Sequence, residues 1–320
     1  MDKKKKQTNK KKRRERPPIK KFIAMFFIIC VSLGLILYPF ISNYIFEHQA
    51  SGIVNSVEKS IDDTASDSKQ KEYKNEIKAA QKYNADIANG HIQLKDPFDE
   101  KSLEEDEKEY DSLLNMTKDG VMGVIKIPCI NVSLPIYHGT SESTLEKGVG
   151  HLQGTSLPVG GKSTHTVLTG HTGLSRAKLF TDLTELKEGD MFFLYVMGKT
   201  MTYKVDKISV VLPSEMNSLT VEPGKDFCTL VTCTPYGVNS HRLLVRGIRT
   251  RYVSEADNPE IYEQRKVKSQ WQEEYAKSIV ISSITFIILL VILIIWREVP
   301  HNKKRKKKLK RKKNRKRKEP

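Results

Sequence analysis

Two uncharged apolar runs near the ends of the chain restrict its architecture more than any other feature. The first extends from Phe22 to Ile41 and the second from Ile279 to Trp296, lengths of 20 and 18 residues. A helix of about 20 apolar residues crosses the roughly 30 Å hydrocarbon core of a bilayer. Each run adjoins a cluster of Lys and Arg, and such clusters stay on the cytoplasmic side. The pattern predicts a two-pass protein of the cell membrane, with both termini in the cytoplasm and residues 47–278 outside.

Each run also has a second interpretation. The first has the position of a cleaved signal peptide, but it is long for one, and His48 stands where a small residue is expected. The second is short enough for a buried core helix, but 15 basic residues follow it, which favours a membrane span. We interpret both as membrane helices, at residues 22–46 and 279–296, with basic cytoplasmic tails at residues 1–21 and 297–320.

The net charge of +17 is concentrated in these two tails. They contain 27 basic and 4 acidic residues, whereas the rest of the chain contains 28 basic and 34 acidic residues. A nucleic-acid-binding domain carries its basic residues on the folded part. The distribution therefore argues against nucleic acid as a partner and predicts that the tails contact anionic membrane lipid, with RNA binding by the tails as a less favoured alternative.

The segment between the spans divides into regions that differ in composition and in the periodicity of their apolar residues. Residues 47–90 carry apolar side chains at helical spacing and predict packing helices. Residues 91–115 are acidic and aperiodic, which is typical of an exposed loop. Residues 116–255 contain about eight short β-branched runs separated by Gly, Pro and Asn, and this pattern favours a closed β-barrel. Residues 256–278 predict a polar, helix-like stalk, so the fold class is mainly β with N-terminal helices.

A candidate nucleophile lies in residues 227–249. Cys233 ends a predicted strand, and Arg242 opens the next strand after a turn-rich loop of eight residues. If these strands pair as an antiparallel hairpin, the two side chains lie close together at its loop end. A cation beside a thiol favours the nucleophilic thiolate and can stabilise a developing oxyanion. Cys228, five residues earlier, is expected to point to the opposite face and into the core.

A cysteine nucleophile needs a proton-transfer partner, which is usually a histidine. Among the eight histidines, His171 follows the end of a predicted strand, between glycines that allow a tight exposed turn. On spacing alone, His151 and His165 are alternatives. Neither a metal nor a cofactor is predicted, because no cluster of Cys and His has the spacing of a zinc site.

These motifs resemble those of a known family. Thr-Leu-Val-Thr-Cys at residues 229–233, followed by a loop and an arginine, resembles the sortase signature. Leu-Thr-Gly-His-Thr-Gly at residues 168–173 resembles the sortase histidine motif, and residues 148–190 are similar to the class C, or pilus-assembly, sortases in almost every stretch. The resemblance covers residues 83–251 and selects His171 from the candidate histidines.

The resemblance implies a sortase-type β-barrel with an outward-facing active site in a Gram-positive host. It implies that Cys233 attacks the Thr–Gly bond of a Leu-Pro-x-Thr-Gly-like sorting signal and forms a thioester with the threonine. A lysine amine of the next pilin then resolves the thioester, so pilins and surface proteins with such signals are the implied partners. His171 acts as general acid and base, and Arg242 holds the substrate and stabilises the oxyanion.

The resemblance also assigns a function to Asp96-Pro97-Phe98, because class C sortases carry an Asp-Pro-aromatic lid over the active site. Carried over to this chain, Asp96 pairs with Arg242 and Phe98 covers Cys233. A carboxylate can neutralise a guanidinium, and an aromatic ring excludes water. Without the resemblance, the motif is more simply interpreted as an ordinary turn followed by a core phenylalanine.

Three other functions account for parts of the same pattern. A secreted cysteine peptidase would use the same thiol and histidine but deliver the thioester to water. A sortase of another class would anchor proteins to the cell wall, and a non-catalytic scaffold would keep only the fold. The lid motif and the second span favour polymerisation of pilins, and the complete Cys-His-Arg set argues against a scaffold.

Overall fold

The computed structural model describes the helices before and after the barrel, the barrel itself and single positions between them, namely residues 19–62, 67–90, 98, 108–117, 119–174, 176–215, 219–252, 267, 269–288 and 291. Most of the two predicted basic tails, most of the predicted stalk and the end of the second predicted span lie outside the described residues. So do Asp96 and Pro97 of the predicted lid.

The first element, α1, is one helix from Ile19 to Asp62 with Pro39 inside it. It continues without a break past residue 46, because the following residues still bury an apolar face against the barrel: Val54 and Val57 are 4% and 1% exposed. Its segment Cys30–Lys59 contains an 18-residue window with a mean hydropathy of 1.3, and α1 is, among the described residues, the one helix long and apolar enough to span a membrane. A helix of this kind at the N-terminus serves as a membrane anchor or a signal.

The second helix, α2, extends from Asp67 to Asn89 and packs one face against the barrel. This face carries part of the apolar, helically spaced side chains of residues 47–90, and it contacts the main core through Tyr73, Ile77, Ala80, Tyr83 and Ile87. Two hydrogen bonds between the Asn84 side chain and the Leu157 backbone, of 3.1 and 2.7 Å, attach the same face to the barrel. The prediction of packing helices before the barrel therefore agrees with the structure.

Two short helices, α3 (Lys108–Ser112) and α4 (Glu142–Leu145), accompany an eight-stranded barrel. The strands are β1 (Val121–Ile127), β2 (Val132–His138), β3 (Val149–His151), β4 (Thr164–Thr169), β5 (Met191–Val196), β6 (Lys199–Val211), β7 (Asp226–Thr234) and β8 (His241–Thr250). They close in the order β1-β2-β3-β4-β7-β8-β6-β5, which confirms the predicted mainly-β, closed barrel. The pairs β2–β3 and β4–β7 are parallel and the others are antiparallel.

The predicted site residues lie together at one end of the barrel. Because β4 and β7 run parallel, with Thr169 opposite Val231, both strands finish at the same rim. β8 starts at that rim, where Cys233 pairs with Arg242. His171 follows β4 by two residues, so it lies in a loop above the same rim.

A further helix, α5, occupies residues 270–288 and contacts both α1 and the barrel. The Phe40 ring of α1 lies edge-on to Trp271 and Tyr275, with centroid distances of 5.8 and 4.5 Å. The Trp271 backbone N–H donates to the Asp182 carboxylate at 3.2 Å. Asp182 belongs to the 3₁₀ turn Thr181–Glu185 that follows the His171 loop. α1 and α5 therefore approach the end of the barrel that carries the predicted site residues.

Candidate active site

Cys233 and Arg242 are directly opposite each other in the antiparallel β7–β8 pair. Opposed residues in such a pair project to the same face with their Cβ atoms about 5 Å apart. Both are largely buried, with 8% and 7% exposure. The guanidinium is held by two backbone carbonyls, one in the β7–β8 loop and one at the start of β8, because Arg242 Nη1 donates to Asn239 O at 3.0 Å and to His241 O at 3.2 Å. The arrangement places a fixed cation on the same face as the thiol.

Cys228 occupies a different environment on the same strand. It is fully buried among the apolar residues of the main barrel core. Burial raises the pKa of its thiol well above the ordinary value, with a smaller contribution from the Asp226 carboxylate. A thiol with a raised pKa in an apolar core is a poor nucleophile. Cys228 therefore has a packing role, as its odd offset from Cys233 predicts.

The backbone around His171 is fixed by neighbouring segments. The Gly170 N–H donates to Val231 O at 3.0 Å, and the Thr232 hydroxyl donates to Gly170 O at 2.7 Å. The Phe180 N–H donates to His171 O at 3.1 Å. A Cβ on residue 170 would lie 2.7 Å from the Phe180 ring, so this close approach requires glycine. These contacts hold the His171 loop next to the end of β7.

The His171 side chain is 16% exposed, and its Nε2 lies 3.3 Å from Glu142 Oε2. The contact has the distance of an ion pair but is not aligned as a hydrogen bond. Burial lowers the pKa of His171, and the Arg176 charge acts in the same direction, while the carboxylates of Glu142 and Glu146 oppose the shift. A histidine whose pKa is shifted by burial and by neighbouring charges is a candidate for a residue that exchanges protons.

The two alternative histidines are engaged on both ring nitrogens. His151 is fully buried, with Nδ1 2.9 Å from the Tyr110 hydroxyl and Nε2 2.9 Å from Ser156 O. His165 is 1% exposed and bonds Thr220 O at 2.9 Å and the Thr229 hydroxyl at 2.7 Å. Because their ring nitrogens are occupied within the fold, the structure leaves His171 as the candidate acid–base residue.

Phe98, from the predicted lid, lies at this rim. Its ring centroid is 5.8 Å from that of His171, and the Arg242 guanidinium carbon is 4.9 Å from it. The ring also packs against an apolar cluster of Leu152, Val167, Leu219, Val231 and Leu244. A single aromatic side chain therefore contacts the histidine and the arginine of the site together.

Glu142 is a residue of the site that the sequence did not predict. It is separated from His171 by 29 positions, and it is the first residue of α4, a helix capped by Ser141. The only local signal is the Ser141 cap, which places a helix start near the end of β2 but says nothing about a histidine. The contact exists because β3 lies between β2 and β4 in the barrel, which brings α4 beside the β4 end.

The chain is similar to proteins of one family. Residues 125–250 match the model of the sortase domain. The crystal structure of sortase C-1 from Actinomyces oris is 52% identical, with 57% of this chain and 99% of that chain covered and a TM-score of 0.53. Sortase C1 of Streptococcus agalactiae is 42% identical, with 64% and 100% covered and a TM-score of 0.57.

The curated relatives are more distant. Sortase A of Bacillus anthracis is 32% identical over 133 residues, which are 42% of this chain and 61% of the relative. Sortase D of Bacillus subtilis is 34% identical over 130 residues, which are 40% of this chain and 63% of the relative. The chain thus spans less than two thirds of the length of these curated relatives.

Proposed function

Because the chain belongs to the sortase family, and within it to the pilin-type class C sortases, we propose that it is a cysteine transpeptidase that polymerises pilins. It cleaves a Leu-Pro-x-Thr-Gly-like sorting signal between Thr and Gly and transfers the threonyl group to a lysine amine of another pilin. The observation that carries the proposal is the register pair of Cys233 and Arg242, at the same barrel rim as His171.

The first half-reaction begins with the Cys233 thiolate. Its sulfur attacks the threonine carbonyl carbon, and the carbonyl electron pair moves to oxygen to give a tetrahedral oxyanion. The Arg242 guanidinium, held by two backbone carbonyls, supplies a positive charge for this oxygen. The C–N bond then breaks, His171 gives a proton to the departing glycine amine, and the threonine is left as a thioester on Cys233.

The second half-reaction reverses the roles. The lysine amine attacks the thioester carbon, and His171 accepts the proton that the amine loses. The C–S bond breaks, the Cys233 thiolate is restored and an isopeptide bond joins the two pilins. A histidine can serve as acid and then as base because its ordinary pKa lies near neutrality. Burial lowers the pKa of His171, and the Glu142 carboxylate opposes that shift.

The proposal includes a lid formed by Asp96, Pro97 and Phe98. The Phe98 ring contacts both His171 and Arg242, so substrate and ring compete for the space between them. Asp96 pairs with Arg242 when the lid is closed, in keeping with the preference of a guanidinium for a carboxylate. The lid limits hydrolysis of the thioester by excluding water and controls entry of the sorting signal.

The proposal also places the enzyme in the membrane, with the barrel outside and both basic tails in the cytoplasm. Its support is the apolar surface of α1, on which Phe27 and Leu35 are 67% and 72% exposed. Apolar side chains that project from a helix in this way require a lipid environment or a partner. α5 continues into the predicted second span, and Val280 and Ile281 at its start are 57% and 64% exposed.

The central test is a product analysis with the full chain in detergent. The wild type is incubated with a Leu-Pro-x-Thr-Gly peptide and an amine acceptor, and products are identified by mass spectrometry. We expect a threonyl–amine conjugate and a thioester adduct that are absent from Cys233→Ala. Cys30→Ser is the matched control, because Cys30 is an exposed residue of α1 away from the barrel.

Each other result has a distinct meaning. Hydrolysed peptide alone, even with abundant amine, would replace transpeptidation with a peptidase function. Transfer to a cell-wall-type amine in preference to a pilin lysine would indicate a wall-anchoring sortase. If neither wild type nor a lid variant forms an adduct, the proposed substrate class is wrong.

The lid itself predicts the behaviour of Phe98→Ala. Removing the ring abolishes its contact with the Arg242 guanidinium, a type of contact that contributes on the order of 0.5–2 kcal/mol. We therefore expect peptide hydrolysis without acceptor to rise roughly tenfold, since 1.4 kcal/mol corresponds to a factor of ten. Phe98→Tyr keeps a ring and should hydrolyse the peptide slowly, like the wild type. Equal hydrolysis by Phe98→Ala and wild type would remove the lid from the proposal.

A further inference from the structure

We propose that Glu142 is a positioning residue for His171. Its carboxylate holds the imidazole through Nε2, stabilises the protonated ring and leaves Nδ1 as the nitrogen that exchanges protons with the substrate. The inference rests on the proposed function and deepens it. It adds a residue to Cys233, His171 and Arg242, and this residue acts through His171 rather than on the substrate.

The position of Glu142 is fixed by its helix. Ser141 caps α4, since its hydroxyl oxygen accepts from the Thr144 N–H at 3.2 Å. The Glu146 N–H donates to Glu142 O at 2.9 Å, and the Thr144 hydroxyl contacts His138 O, the last residue of β2, at 3.4 Å. The backbone of Glu142 is therefore attached to the barrel rim, and its carboxylate reaches the ring of His171 from a fixed point.

The charged groups around His171 come from several elements. α4 and the residue after it contribute two carboxylates, and the His171 loop contributes one guanidinium. The β7–β8 hairpin contributes a second guanidinium, beyond the lid ring, and the thiol. These groups are Glu142, Glu146, Arg176, Arg242 and Cys233. Arg176 Nη2 binds Glu146 Oε2 at 2.8 Å, so these two charges largely compensate each other. The carboxylate of Glu142 instead faces His171 at 3.3 Å.

The ring nitrogen that Glu142 faces is closed to solvent. His171 Nε2 has almost no accessible surface. Water therefore cannot solvate a proton there, and burial favours the neutral ring. A carboxylate at 3.3 Å favours the charged ring instead and fixes its orientation. Because Nε2 is enclosed and faces the Glu142 carboxylate, Nδ1 is the nitrogen left to meet the thiol and the substrate.

Glu142 contributes little to the fold, which makes the inference testable by substitution. Its side chain is 59% exposed, and the cap of α4 is made by Ser141 rather than by the carboxylate. Exposed ion pairs have small effects on stability. We therefore expect Glu142→Gln to fold with an unfolding midpoint close to that of the wild type.

The test compares Glu142→Gln with Glu142→Asp and with Glu188→Gln in the full chain in detergent. Glu188 is an exposed carboxylate in the turn before β5, outside the site. The His171 pKa is measured by NMR titration of histidine-labelled protein, with the His171 signal assigned from the His171→Gln spectrum. The pH profile of kcat/KM is measured with the peptide and amine assay.

In Glu142→Gln we expect the His171 pKa to fall by roughly half a pH unit, because a stabilising charge is lost. The limb of the kcat/KM profile that belongs to His171 should move to lower pH by the same amount, and kcat/KM at neutral pH should fall about three- to tenfold. Glu142→Asp should recover part of both effects, and Glu188→Gln should resemble the wild type.

Two results would overturn the inference: an unchanged His171 pKa in Glu142→Gln, or a lowered pKa with an unchanged pH profile and rate. The titration does not depend on turnover. If the wild type proves inactive, the proposed function fails by itself, and the titration alone then decides whether Glu142 holds His171.

Discussion

The surroundings of His151 and His171 differ in how completely the fold supplies hydrogen-bond partners for the ring nitrogens. His151, in β3, has the Tyr110 hydroxyl at Nδ1 and Ser156 O at Nε2, each at 2.9 Å, and is closed to solvent. His171, in the loop after β4, is 16% exposed and meets a carboxylate at 3.3 Å. The same residue type is thus a completed part of the core in one region and an incompletely paired group in the other.

This difference separates structural from chemical histidines. The tautomer with a proton on Nε2 lets His151 donate to Ser156 O and accept from Tyr110, and burial lowers its pKa to about 4. A ring in that state is neutral at physiological pH and has no free nitrogen for a substrate. His171 keeps the capacity to change charge, which acid–base chemistry needs.

The largest effect on activity is expected for His171→Ala, which tests whether His171 is the chemical histidine of the pair. Removing the acid–base group should reduce transpeptidation by roughly 10²- to 10⁴-fold. The free energy of unfolding should fall by no more than about 1 kcal/mol, the usual size of a substitution effect, because the ring is mostly buried but belongs to a loop outside the main core. Rates come from the peptide and amine assay and stability from thermal unfolding followed by circular dichroism. A rate close to that of the wild type would contradict the assignment of His171.

His151→Leu should have the opposite effect: a loss of stability with an unchanged rate of transpeptidation. The substitution removes the ring nitrogens that bind the Tyr110 hydroxyl and Ser156 O. The Tyr110 hydroxyl keeps its contacts with the His151 backbone O and the Gly139 N–H, so the lost bond to Ser156 O is the more costly one. A buried group that loses its hydrogen-bond partner costs about 1–3 kcal/mol, so we expect a loss of about 1–3 kcal/mol in unfolding free energy. The rate per folded molecule should stay near the wild-type value. A large loss of rate at unchanged stability would assign His151 to the site instead.

The pH dependence of stability sharpens the comparison further. The folded state keeps His151 neutral down to about pH 4, whereas the unfolded chain binds a proton near the ordinary pKa of 6.5. Stability contributed by this residue is therefore present above pH 6.5 and is lost as the pH falls. Between pH 7 and pH 5 we expect a loss of about 2 kcal/mol.

Chemical unfolding at the two pH values measures this loss, and the variants isolate its source. Carboxylates titrate over part of the same range, so the informative quantity is the difference between variants. His151→Leu should show a smaller decrease than the wild type, while His171→Ala should keep most of it. The same decrease in wild type and His151→Leu would show that other groups cause it.

The sequence predicted the parts of the site that depend on local pattern. Strand alternation and the eight-residue loop place Cys233 and Arg242 together, and the register pairing in the structure agrees with that interpretation. The number of strands follows from the same periodicity. The strand order does not, because the parallel β2–β3 and β4–β7 pairs join segments whose sequences carry no sign of their partner.

The remaining features depend on contacts between distant segments. The choice of His171 over His151 needed a family resemblance, because the partners of His151 include Tyr110, 41 positions away. Glu142 was not predicted for the same reason, since its contact with His171 exists only once β3 separates β2 from β4. The continuation of α1 past residue 46 likewise depends on burial of Val57 against the barrel.

The Phe98 ring between His171 and Arg242 has a consequence for inhibitor discovery. A compound that needs the same space binds only the fraction of molecules in which the ring has moved, so its apparent dissociation constant is the intrinsic value divided by that fraction. An open fraction of about 1% would make every such compound look about 100-fold too weak, without altering the rank order. Screening against Phe98→Ala would recover weak binders that the wild-type enzyme conceals.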